Sequence, residues 1–178
     1  MVNLVYRCRL GAALKGERQM DESWAAQHML ERVLQETSPR HYLIIGDAHP
    51  LDPEPTIADT PQTTITRLRP EQTLDALPRH GRQDLVLVGA LEAFPRADGE
   101  ILLSRLRDLY ARRVLARLRP SPEWEHRDMT AFGFTRLARL GANHGLLYGF
   151  DMATYKTTPD WLNPRFWANP ELWGKYRW

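Results

Sequence analysis

A chain of 178 residues is long enough to bury one core, and 43% apolar with 26% charged residues is ordinary globular composition. A formal charge of +2 excludes arguing for a nucleic-acid partner from net charge alone, and no apolar run approaches the roughly 20 residues of a membrane-spanning helix. Cys8 is the single cysteine, which excludes an internal disulfide and fits a reducing, cytoplasmic compartment.

The opening MVNLVYRCRLGAALKG has a basic, leader-like character, yet Arg7 and Arg9 interrupt its apolar stretch and no small-residue cleavage site follows. Residues 1–19 therefore read as an N-terminal extension, with Met20 as an alternative start. From Asp21 to Glu36 the spacing predicts a helix. Trp24, Met29, Leu30, Val33 and Leu34 form one face, Asp21 and Glu22 sit at the positive end of the dipole, and Ser38-Pro39 stops it. The short apolar run Tyr42–Ile45 of HYLIIGD predicts a buried strand. AHPLDPEPTIADTPQ, with four prolines, must be loop.

TTITRLRP predicts a second strand, followed by a short helix from Glu71 to Leu77. DLVLVGAL (84–91) is a continuous apolar run, which implies burial on both faces in a parallel sheet. ADGEILLSRLRDLYARR predicts an amphipathic helix with Asp98 as N-cap and Leu102, Leu106, Leu109 and Tyr110 inward. RVLARLRP resumes strand character up to Pro120. A helix over roughly 128–140 would place Phe132, Leu137 and Leu140 inward, and GLLYGFDMATYK would form a long final strand. This alternation gives an α/β fold, a Rossmann-like, mostly parallel sheet flanked by helices over residues 20–160.

The last 18 residues, WLNPRFWANPELWGKYRW, hold four of the six tryptophans. NPRFWA (163–168) and NPELWG (169–174) repeat one pattern in which Asn caps a helical turn, Pro opens it, and the Trp folds back over it. Trp161, Trp167 and Trp173 recur at one spacing, and Pro170 prevents a continuous helix. Because each ring can bury about 150–250 Å², residues 161–178 read as a strap packed on the domain. The alternative is a stacking platform with Arg165, Lys175 and Arg177 beside the rings.

DLVLVGALEAFPRADGEILLSRLRDLYARRVLARL resembles the second half of class I S-adenosylmethionine-dependent methyltransferases. The elements that carry the likeness are Asp84 opening a buried strand, Leu91-Glu92, Phe94-Pro95, a leucine-rich helix and a further strand. AFGFTRLARL with GLLYGFDMATYK resembles that family's last helix and final hairpin strands, so the likeness covers roughly residues 40–156. The ending WANPELWGKYRW resembles the shared tail of a bacterial family of unknown function whose members carry this methyltransferase-like middle. The first half departs from the pattern. The family's glycine-rich turn is reduced to Gly46, with Ala48 in the second glycine's place, and a proline-rich segment replaces a helix. Arg67 and Arg69 end the second strand, where the family has an acid that accepts from ribose hydroxyls.

From the residues themselves, Asp47 and His49 follow the first strand at the edge where open α/β sheets place ligands, and Glu92 follows a later strand at that same edge. Gly46, Asp47, His49 and Glu92 are thus the pocket candidates. Either they serve as acid, base and cofactor contacts, or Asp47 caps a turn and His49 faces solvent. The six histidines, 28, 41, 49, 80, 126 and 144, lack metal-type spacing, so no zinc is expected. Six arginines between 105 and 119 form the wet face of a helix and strand ends, or meet an acidic partner.

Three functions are consistent with this sequence. The first is a degenerate methyltransferase-like domain acting as a binding or scaffold module for a small molecule or protein. The second is an active methyltransferase holding S-adenosylmethionine in a non-standard cradle of Gly46 and Asp47, with Glu92 lining the pocket. The third is a nucleic-acid-binding module using the arginine strip and the tail rings.

Overall fold

The computed structural model describes residues 27–51, 62–119, 121–140 and 145–155, together with Lys175. The expected extension (1–19), most of the proline-rich segment and, Lys175 apart, the strap (161–178) lie outside the described residues.

Helix α1, described over residues 27–37, buries Leu30, Val33 and Leu34, an i, i+3, i+4 stripe. It ends where Ser38 turns into the left-handed region at φ 40° and donates its N–H to the Leu34 carbonyl. Strand β1 (His41–Ile45) follows. After it come β2 (Thr64–Leu68), α2 (Pro70–His80), β3 (Gln83–Val88) and a short 3-10 turn at Leu91–Ala93. Then come α3 (Arg96–Arg105), a wider π turn at Leu106–Tyr110, and β4 (Ala111–Leu118). The described elements close with α4 (His126–Ala131), β5 (Thr135–Arg139), β6 (Leu146–Asp151) and a helical turn α5 (Met152–Tyr155).

The strands form one six-stranded sheet in the order β2-β1-β3-β4-β6-β5. β2, β1, β3 and β4 run parallel, and β6 lies antiparallel between β4 and β5. The protein is therefore α/β with a mostly parallel sheet, as the central apolar runs implied. Alternation sorts the strand side chains into two layers. Leu43, Ile45, Val86, Val88, Val114 and Ala116 pack with α2, α3 and α4. Tyr42, Ile44, Leu85, Leu87 and Leu115 pack with α1. Asp84 is the second residue of β3, and its carboxylate accepts the backbone N–H groups of Arg40 and His41, pinning the start of β1 to that of β3. Among the described residues, no helix is long and apolar enough to cross a membrane.

Three expected elements are corrected. The helix expected over 128–140 is α4 only as far as Ala131; Gly133 then reverses the chain at φ 84° and β5 begins at Thr135. Phe132 packs in the α2–α4 layer while Leu137 and Leu140 pack in the α1 layer, so no single helical face unites them. Pairing of β5 with β6 satisfies the backbone and overrides the local spacing. The final strand ends at Asp151, whose carboxylate accepts the Ala153 N–H and opens α5. In α3 the N-cap position is Pro95, with Asp98 inside the first turn, and Leu109 is 60% exposed because the chain widens into the π turn before β4.

Burial separates two leucines of identical chemistry. Leu87, fully buried in β3, is expected to lose about 2–5 kcal/mol of stability on truncation to alanine, and Leu109→Ala less than about 0.5 kcal/mol. Urea unfolding of the two variants measures the difference, and equal losses would contradict the layer assignment.

Candidate functional site

The chain leaves β1 toward β2 on one side and later returns to β3 on the other, so strand order switches between β1 and β3. Open α/β sheets bind ligands outside the carboxyl ends of their strands at such a point. Gly46, Asp47 and His49 follow β1 here, and Glu92 follows β3. The fold thus brings all four candidates to one edge, but it does not leave them as an open cluster.

The turn after β1 satisfies itself. Gly46, at φ 75°, donates its N–H to the Leu68 carbonyl at 2.9 Å, and the Asp47 carboxylate accepts the His49 N–H at 3.0 Å. His49 is exposed and precedes a cis bond to Pro50, while Ala48 and Leu51 are buried against the α1 layer. Gly89, at the end of β3, lies directly on this turn, and a Cβ at that position would collide with the Asp47 carbonyl oxygen. Its own N–H is bonded to the Ile45 carbonyl.

The group that fastens the two loops is Arg117, one residue before the end of β4 and only 1% exposed. Its Nε donates to the Gly89 carbonyl and its Nη2 to the Asp47 carbonyl at 3.2 Å, with the Asp47 carboxylate 3.7 Å away. Burial first, and then the charge of neighbouring Arg119, push the Arg117 pKa down, against the pull of Glu92 and Asp47. Glu92 is largely shielded and belongs to Arg119, accepting its backbone N–H at 3.3 Å and lying 3.5 Å from its guanidinium.

Arg117 corrects the wet-face assignment of the arginine run. The alternation around it was a readable signal, because Val114, Ala116 and Leu118 share one face and Arg117 shares the other with buried Leu115. Arg113 is also inward, paired with Asp151 at 2.5 Å and with Glu36 at 3.2 Å.

Three further features lie near this edge. A cavity of about 270 Å³ opens between the starts of α2 and α3, lined by Pro70, Glu71, Leu74, Phe94, Pro95 and Asp98. Beside it Arg96 stacks over Trp124 at 4.2 Å and binds Glu100 at 2.7 Å and Asp128 at 2.9 Å. The Asp128 pKa falls to about 2, because Arg96 and then the Glu125 N–H hydrogen-bond its carboxylate. Across α4, His126 Nδ1 lies 3.2 Å from the hydroxyl of buried Tyr148, whose pKa is raised by desolvation. Among the described residues, no group of three or more His, Cys, Asp or Glu is placed to hold a metal ion.

Sheet order and edge together define a Rossmann-like α/β protein with a topological switch point between β1 and β3. A protein-family model matches residues 24–178, and the chain belongs to that family, described as a family of unknown function, DUF6231. No curated protein matches the sequence.

The edge yields two stability predictions. Gly89→Ala forces the β1 and β3 loops apart and is expected to lose about 1–3 kcal/mol in urea unfolding. Asp128 titrates near 2 when folded and near 3.9 when unfolded, so its stabilisation is complete above that higher value and fades as pH falls through 2. The melting-temperature gap between the protein and Asp128→Asn should therefore be widest near neutral pH and close toward pH 2. A gap that is independent of pH would refute the assignment.

Proposed function

We propose that this protein is a binding or scaffold module on a methyltransferase-like α/β frame, and that its switch-point crevice is not a nucleoside-cofactor cradle. The frame part of this reading is supported by the parallel β2-β1-β3-β4 core followed by the antiparallel β5–β6 pair, the arrangement implied by the resemblance to a family with final hairpin strands.

One observation carries the second part. The β1 and β3 loops are in backbone contact at Gly89 and Asp47 and are bolted together by buried Arg117. A cofactor cradle needs free main-chain N–H groups and room for the ligand to approach them. Here the N–H groups of Gly46, His49, Leu51 and Gly89 are bonded within the protein. Arg67 and Arg69 flank the end of β2, where a ribose would need an acceptor. The residues at the crevice do not fit S-adenosylmethionine.

A cofactor-binding enzyme with a non-standard cradle is the second reading, and one feature favours it. Glu71, just beyond β2, lines the cavity between α2 and α3 and can accept from hydroxyl groups there. The nucleic-acid reading is less favoured, because within the arginine strip Arg107, Arg113 and Arg119 are paired with Asp108, Asp151 and Glu92 and Arg117 is buried.

Isothermal titration of the full chain with S-adenosylmethionine is expected to show no saturable heat. Micromolar binding that is lost in Glu71→Ala would replace the first reading with the second.

A further inference from the structure

We infer that Arg117 anchors a seat for a small oxyanion, a carboxylate or phosphate group, at the β1/β3 switch point. The inference rests on the reading above, that the crevice binds a ligand other than a nucleoside cofactor. A guanidinium carries five N–H donors in a planar fork. In Arg117, Nε serves the Gly89 carbonyl and Nη2 the Asp47 carbonyl, but Nη1 is buried and has no acceptor among the described residues. Buried donors are nearly always satisfied, and a buried charged donor left unmet is among the costlier exceptions.

The charge is as poorly matched as the hydrogen bonding. Among the described residues the nearest carboxylate to the guanidinium, that of Asp47, lies 3.7 Å from Nη2, too long for a hydrogen bond, and is 63% exposed. Glu92, the other carboxylate near Arg117, is held by Arg119. A buried cation therefore rests mainly on two carbonyl dipoles, at the place where sheets of this kind seat their ligands. An oxyanion across the Nη1–Nη2 edge supplies both the missing acceptor and the missing charge in the geometry a guanidinium favours. Asp47, already turned to this cation without closing on it, is then the internal competitor that an external oxyanion displaces.

That competition gives the test its sign. Acetate and inorganic phosphate are titrated separately into the full chain and into Asp47→Asn and Arg117→Gln, by calorimetry and by the arginine Nε–H signals in NMR. Saturable binding is expected in the native protein. Asp47→Asn keeps an oxygen for the His49 turn but removes the competing charge, so binding should tighten about tenfold. Arg117→Gln should abolish it. A preference for acetate assigns a carboxylate ligand, and a preference for phosphate assigns a phosphate ligand.

Absence of saturable binding in both the native protein and Asp47→Asn overturns the inference, as does weaker binding in Asp47→Asn. If Arg117→Gln does not fold, an Arg117 Nε–H signal that stays unmoved at saturation overturns it equally. The two ideas fail separately. Micromolar binding of S-adenosylmethionine sinks the proposed function, whereas silence toward oxyanions and cofactor alike sinks only the seat.

Discussion

Burial of both faces of β1, β3 and β4 is the constraint from which the rest follows. Their side chains alternate between a layer under α2, α3 and α4 and a layer under α1, and nearly all are withdrawn from water. Strands covered on both sides must satisfy their backbone within the sheet, and parallel neighbours send their connecting helices over the faces. Polar chemistry is thereby driven to the sheet edges. At the carboxyl edge, the turns after β1 and β3 meet at the switch point.

At that edge the turns after β1 and β3 are in backbone contact. Gly89 lets one loop lie on another, and Arg117 reaches from β4 across the end of β3 to carbonyls of both loops. A buried guanidinium held by carbonyl dipoles is an expensive fastener unless something else repays its desolvation. In these turns the N–H groups of Gly46, His49, Leu51 and Gly89 are bonded within the protein, and Arg117 Nη1 has no acceptor among the described residues. Neighbouring Glu92, a carboxylate at the right edge for acid–base work, is neutralised by Arg119.

Residues 128–140 carry apolar side chains at near-helical spacing, yet Phe132 and Leu140 belong to opposite layers and β5 exists because β6 is there to pair with it. Leu109 fits the inner stripe of a straight helix and is exposed because the helix widens before β4. The arginine run has the composition of a solvated surface, yet strand alternation places Arg113 and Arg117 beside Leu115 on a covered face. The segment at 128–140 was thus decided by a strand paired with it, and Leu109 and the arginines by the local course of the chain around β4.

Sequence by itself determined the fold class, because continuous apolar runs separated by amphipathic segments have few ways to hide from water. It also determined that Gly46, Asp47, His49 and Glu92 would share one edge, since each directly follows a parallel strand. Only tertiary structure decided what those residues do there. Whether a carboxylate is open to a ligand or held by an arginine depends on side chains tens of residues away, as Arg119 and Glu92 show. Such contacts are set by register and crossing of strands, and no local pattern of residues encodes them.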